Sequence, residues 1–88
     1  MQYLERDLGH RTGGEVVEFT LSGSAANVRL LDSLNFYNYK HAQSYRFHGG
    51  LAKGSPVHVR IPSSDHWHAV VDMQGLIGRV QCSVRVLA

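Results

Sequence analysis

The chain has one cysteine, Cys82, and so can form no internal disulfide and no thiolate pair for a structural metal. Charge is sparse and never runs in blocks. Nine Lys plus Arg against seven Asp plus Glu give a formal net charge of +2, with an isoelectric point near 9.0. Arg29, Arg46, Arg60, Arg79 and Arg85 stand singly and are spread over several predicted elements. A reader of nucleic acid clusters such residues on one face, so nucleic-acid binding is not expected. No apolar run approaches the ~18 residues of a membrane span, and residues 1–7 are too charged for the apolar core of a signal peptide. The expectation is a cytoplasmic protein without membrane contact.

Catalytic sets are missing as well. Ser22-Gly23-Ser24-Ala25 lacks the flanking pattern and the following helix of a nucleophile elbow. Glu15, Glu18, Asp32, Asp65 and Asp72 fall at turns or on polar strand faces, where carboxylates are ordinarily solvated. In Gly49-Gly50-Leu51-Ala52-Lys53-Gly54-Ser55 the lysine precedes the last glycine and a strand follows, so the helix N-terminus that would hold a phosphate is absent. Neither enzyme activity nor a cofactor is expected.

What remains is strand periodicity. Of 88 residues, 43% are hydrophobic, enough for one core and one domain over residues 1–88. Val17, Phe19 and Leu21 alternate with polar neighbours, and Ala26, Val28 and Leu30 resume the pattern after Ser22-Gly23-Ser24, which predicts a hairpin. A first strand is predicted over Gln2–Arg6, with an irregular link from Leu8 to Thr12. Asp32 or Ser33 is placed to cap a helical turn carrying Phe36 and Tyr39. Ser44–His48 reads as a strand ended by Gly49-Gly50. Pro56 and Pro62 bracket a strand with Val57, Val59 and Ile61 on one side. Trp67, Ala69 and Val71 continue the stripe if Ile61 pairs with Trp67. A last strand follows Gly78, with Val80, Cys82, Val84 and Val86 inward. Seven short strands with one helical turn predict an all-β fold, a small antiparallel β-sandwich or flattened barrel.

Two groups invite a functional reading. His66 and His68 lie on one side of a strand, about 7 Å apart, and the predicted register places His58 diagonal to His68. Two imidazoles and a third from a neighbouring strand suit zinc or copper, with Asp65 or Asp72 available as an oxygen donor. The alternative is a solvated outer face. Phe36, Tyr37, Tyr39, Tyr45 and Phe47 form an aromatic group beside Arg46. Part of it belongs to the core, and Tyr37, Tyr39, Tyr45 and Arg46 are the residues expected to meet a ligand or protein partner.

Met1-Gln2-Tyr3-Leu4, Gly14-Glu15-Val16-Val17-Glu18, Ala26-Asn27-Val28 leading to Leu31-Asp32, Asn35-Phe36, Ser44-Tyr45-Arg46 and His66-Trp67-His68-Ala69-Val70-Val71-Asp72 carry a further signal. With them the chain resembles, over nearly its whole length, a small bacterial family of domains of unknown function, number 1883. The resemblance implies a compact all-β domain, in some relatives joined to a TIR-type signalling or defence domain. It implies no activity and assigns no site residue. The 88 residues hold no TIR-like α/β segment, so an effector would be met in trans. The resulting expectation is a non-catalytic binding or interaction module, self-associating through a sheet edge or taking a protein partner or small ligand. A metal-binding protein and a sandwich that binds a small ligand in its cleft remain the alternatives.

Overall fold

Apolar alternation at a spacing of two resolves into strands that turn one face to a shared interior. The computed structural model describes residues 2–87. They form β1 (Tyr3–Arg11), β2 (Val16–Gly23), β3 (Ala26–Asp32), α1 (Ser33–Lys40), β4 (His48–Ala52), β5 (Val57–Arg60), β6 (Asp65–Asp72) and β7 (Val80–Leu87). All pairings are antiparallel, in two sheets of order β1-β6-β3-β4 and β5-β2-β7. The protein is a β-sandwich, and the two sheets do not close into a barrel. Val17 and Phe19 of the second sheet meet Val28, Leu30, Trp67, Ala69 and Val71 of the first in one cluster. Each such side chain contributes about 1.5–3 kcal/mol on burial.

The first sheet is covered on its other face too. Leu31 and Val70 point away from the sandwich interior and pack against Phe36 and Tyr39 of α1. Burial on both faces explains why β6 reads as a continuous buried run from Trp67 to Asp72. The helix starts at Asp32, whose Oδ1 accepts from Asn35 N at 2.9 Å. Losing this cap in Asp32→Ala should cost about 1 kcal/mol, lowering the melting temperature by about 4–8 °C in a thermal melt followed by circular dichroism.

Several sequence expectations are corrected. The predicted β2–β3 hairpin does not form, because the chain crosses from one sheet to the other at Gly23-Ser24. Ser24 N donates to Arg79 O at 2.7 Å, and Ser24 Oγ accepts from Arg79 N at 3.1 Å, which holds this corner against the start of β7. Ile61 does not pair with Trp67. β5 lies on β2, and β6 lies between β1 and β3, with Ile61 N bonded to Glu15 O at the crossing. Residues facing one core from opposite sheets alternate just as hairpin partners do, so periodicity could not separate the two arrangements. The strand expected at Ser44–His48 begins only at His48, and Gly49-Gly50 lie inside it.

The first strand runs to Arg11, beyond the predicted end at Arg6, pairing with β6 throughout and containing a bulge. Asp7 opposes His68 and Gly9 opposes Trp67, leaving Leu8 as the extra residue. Gly9 has φ +72°, in the left-handed region that glycine enters without steric cost, and its N–H bonds Asp7 Oδ1 at 2.8 Å. Leu8 turns into the core while Asp7 keeps to the helix-side face.

Candidate functional site

Three places in the fold bring chemistry together. The first is a buried carboxylate. Asp72, at the end of β6, has no side-chain exposure. Its Oδ1 accepts from Asn27 Nδ2 at 2.8 Å and Gln74 N at 3.2 Å, and its Oδ2 from Arg29 Nε at 3.0 Å and the Tyr39 hydroxyl at 2.6 Å. Burial pushes the Asp72 carboxyl up, but these donors outweigh it and hold the group below the usual carboxylate range. Burial and the neighbouring carboxylate push Tyr39 up, so it remains a phenol that donates. The Arg29 guanidinium carbon lies 4.6 Å from the ring centroid of Phe47, 5.8 Å from Tyr45 and 6.0 Å from Tyr39.

This arrangement redistributes the expected aromatic surface. Tyr39 is 1% exposed and withdrawn from any partner, and Tyr45 packs edge-on against it at 5.1 Å. Both serve an internal cation, Arg29. Tyr37 is 53% exposed and stacks on His41 at 4.0 Å, on the solvent side of α1. Arg46 is exposed and donates its backbone N–H to Asn35 Oδ1. The four residues therefore do not form one patch.

The histidines divide between the sheets. His66 and His68 share the helix-side face of β6, with ring centroids 5.0 Å apart. His58 lies on β5 in the other sheet, where its Nε2 is 2.9 Å from Glu18 Oε2. The diagonal placement beside His68 disappears with the β5–β6 pairing that implied it. Asp65 Oδ1, at the start of β6, accepts from His66 N at 2.7 Å, and Asp72 is occupied by its four donors. The carboxylate that reaches His66 is Asp7, with Oδ1 2.6 Å from its Nε2. The Gly9 N–H first and His66 second hold the Asp7 carboxyl below its ordinary range. Glu5 Oε2 lies 2.9 Å from His68 Nδ1.

The third place is the side of the sandwich where the first and last strands run. Each pairs on one edge only, β1 with β6 and β7 with β2. Between them opens a groove of about 600 Å³ lined by Tyr3, Leu4, Val71, Met73, Arg79 and Val80. It continues past Arg6, Ala69, Cys82 and Val84. Leu4 is 52% exposed, and Ile77, in the loop between β6 and β7, is 98% exposed. Cys82 is half-buried along this groove, and burial pushes its thiol up, away from the reactive thiolate. The opposite side of the sandwich is bridged by residues 53–56, where Ser55 Oγ accepts from Leu21 N at 2.8 Å.

The family model "Domain of unknown function (DUF1883)" matches residues 1–88. The chain belongs to the DUF1883 family. No curated protein and no solved structure matches it. Family membership agrees with the β-sandwich and assigns none of the three places a role. Two parts of this DUF1883 domain escaped sequence reasoning: Arg29 as the centre of the aromatic group, and Asp7 as the carboxylate beside the histidines. The first left a trace, since Arg29 sits between apolar residues of a strand buried on both faces. The second left none, because Asp7 comes beside the histidines only through the pairing of β1 with β6.

Proposed function

We propose that this domain is a non-catalytic interaction module that takes an extended segment of a partner protein along the groove between β1 and β7. One observation carries the reading: two unpaired strand edges border a common apolar groove. Such edges offer free backbone donors and acceptors, and soluble proteins usually cover or charge them. A strand added there would pair its backbone with β1 or β7 and seat alternate apolar side chains against Leu4, Val71 and Val80. Leu4, half-exposed on the groove wall, supplies apolar surface there. Service in bacterial signalling or defence belongs to the same proposal and rests on the family resemblance, and a cytoplasmic location is proposed with it.

Peptides selected from a random library should protect backbone amides of β1 and β7 from hydrogen exchange. Leu4→Arg should weaken them about tenfold or more, a loss typical of an interface anchor, while the melting temperature stays near that of the wild type. Peptides that bind with equal strength to Leu4→Arg, or that protect β4 or α1 instead, would count against the groove.

A further inference from the structure

We propose that Asp7, His66 and His68 form a binding site for a divalent transition ion of the zinc class on the helix-side face of the β1–β6 pair. One donor atom from each lies within 4.8 Å of the other two. Two imidazole nitrogens and one carboxylate oxygen make the three-ligand set of an open zinc site. Ligand atoms about 2.0–2.2 Å from zinc stand roughly 3.3 Å apart in a tetrahedron. Closing the set calls on the exposed side chains of Asp7 and His66 to rotate.

The fold builds this grouping in two ways. Strict alternation along β1 would put Asp7 and His10 on opposite faces, but the bulge at Leu8 brings both onto the face of His66 and His68. His10 then stands opposite His66 in the strand register, outside the three-atom group. His68, for its part, is held rigid. Its side chain is 11% exposed, stacks on Phe36 at 4.3 Å, and has Glu5 Oε2 at 2.9 Å from Nδ1 and Ser33 Oγ at 3.2 Å from Nε2. An ion takes over one of these two contacts, and the other remains as the partner that orients the ring. Asp7 and His66, with side chains 57% and 43% exposed, are the ligands that close from solvent. One fixed imidazole with two mobile donors gives the ion an entry path. The site lies on the far side of the sheet from the groove, so it stands independently of the peptide-binding reading.

The tag-free full chain, stripped with a chelator, is titrated with zinc chloride by isothermal titration calorimetry. One ion per chain is expected, with Asp7→Asn and His66→Ala each weakening binding by on the order of 100-fold and His58→Ala binding as the wild type does. Asp7 and His66 are exposed, so both variants should keep the far-UV spectrum of the fold, which His68→Ala need not. The proposal is overturned by a wild-type chain that takes up no stoichiometric zinc, by uptake that survives Asp7→Asn and His66→Ala, or by uptake lost in His58→Ala.

Discussion

Asp72→Ala is expected to destabilise the domain by about 3–5 kcal/mol, the scale for removing one partner of a buried ion pair. The carboxylate has no exposure and accepts from four donors, so its loss strands Arg29, with its side chain only 11% exposed, inside its ring of aromatic side chains. Folding stability in such domains totals about 5–15 kcal/mol. The melting temperature should therefore fall by about 12 °C or more. Tyr39→Phe removes one donor and leaves Arg29 and Asn27 in place, so a loss of about 1–2 kcal/mol is expected. A fall of less than about 4 °C for Asp72→Ala would mean that the network contributes no more than ordinary surface groups.

The same carboxylate gives the pH dependence a sign. Its pKa is depressed in the folded chain, so its contribution is present above the unfolded value of about 3.9 and is lost as pH falls through the folded value. Asp7, bonded by the Gly9 N–H, and Glu18, bonded by His58 and Arg85, are also held low and act in the same direction. Asp7 is solvent-facing, and Glu18 lies on the outer face of its sheet under two exposed partners, which keeps their share small. The stability difference between wild type and Asp72→Asn, measured by urea denaturation from pH 7 downward, should narrow below about pH 4. A difference that stays constant into that range would contradict the assignment.

Gly49→Ala carries the second large effect. Gly49 has φ +133°, where an L side chain is strained, and a Cβ there would run into the carbonyl oxygen of Val28 on the paired strand β3. The obstacle is backbone inside a sheet, which no side-chain rotation relieves. Backbone strain alone costs about 1–3 kcal/mol, and the contact adds to it, so β4 should loosen from β3. His48, which meets Trp67 edge-on at 6.0 Å, should lose that contact. Gly54→Ala is the control, since no atom lies within 4 Å of its Cβ position, and it should stay within about 0.5 kcal/mol of wild type. Equal urea midpoints for the two variants would refute the argument.

Period-two alternation marked most of the strands and their inward faces, because each face must be either apolar or wet over its whole length. The cap at Asp32 was equally readable, since a side-chain oxygen at that position satisfies a backbone donor whatever the rest of the chain does. The buried face beneath α1 was visible in outline, in the unbroken apolar run of β6. The Ser44–His48 strand was misplaced because Tyr45 and Phe47 alternate for another reason: they enclose Arg29 beside α1.

Local sequence thus determined the class of the fold, the positions of most strands and the face each one buries, all properties of a few neighbouring residues. Partner choice came from packing across the molecule. Whether β5 lies against β6 or β2 makes no difference to the inward stripe of either strand, yet it moves His58 away from His66 and His68 and lets Asp7 take its place. The bulge at Leu8 shifts the face of every later residue in β1 by one, and only pairing with β6 reveals it. The open edges of β1 and β7 depend on strand order across two sheets, which no local pattern encodes.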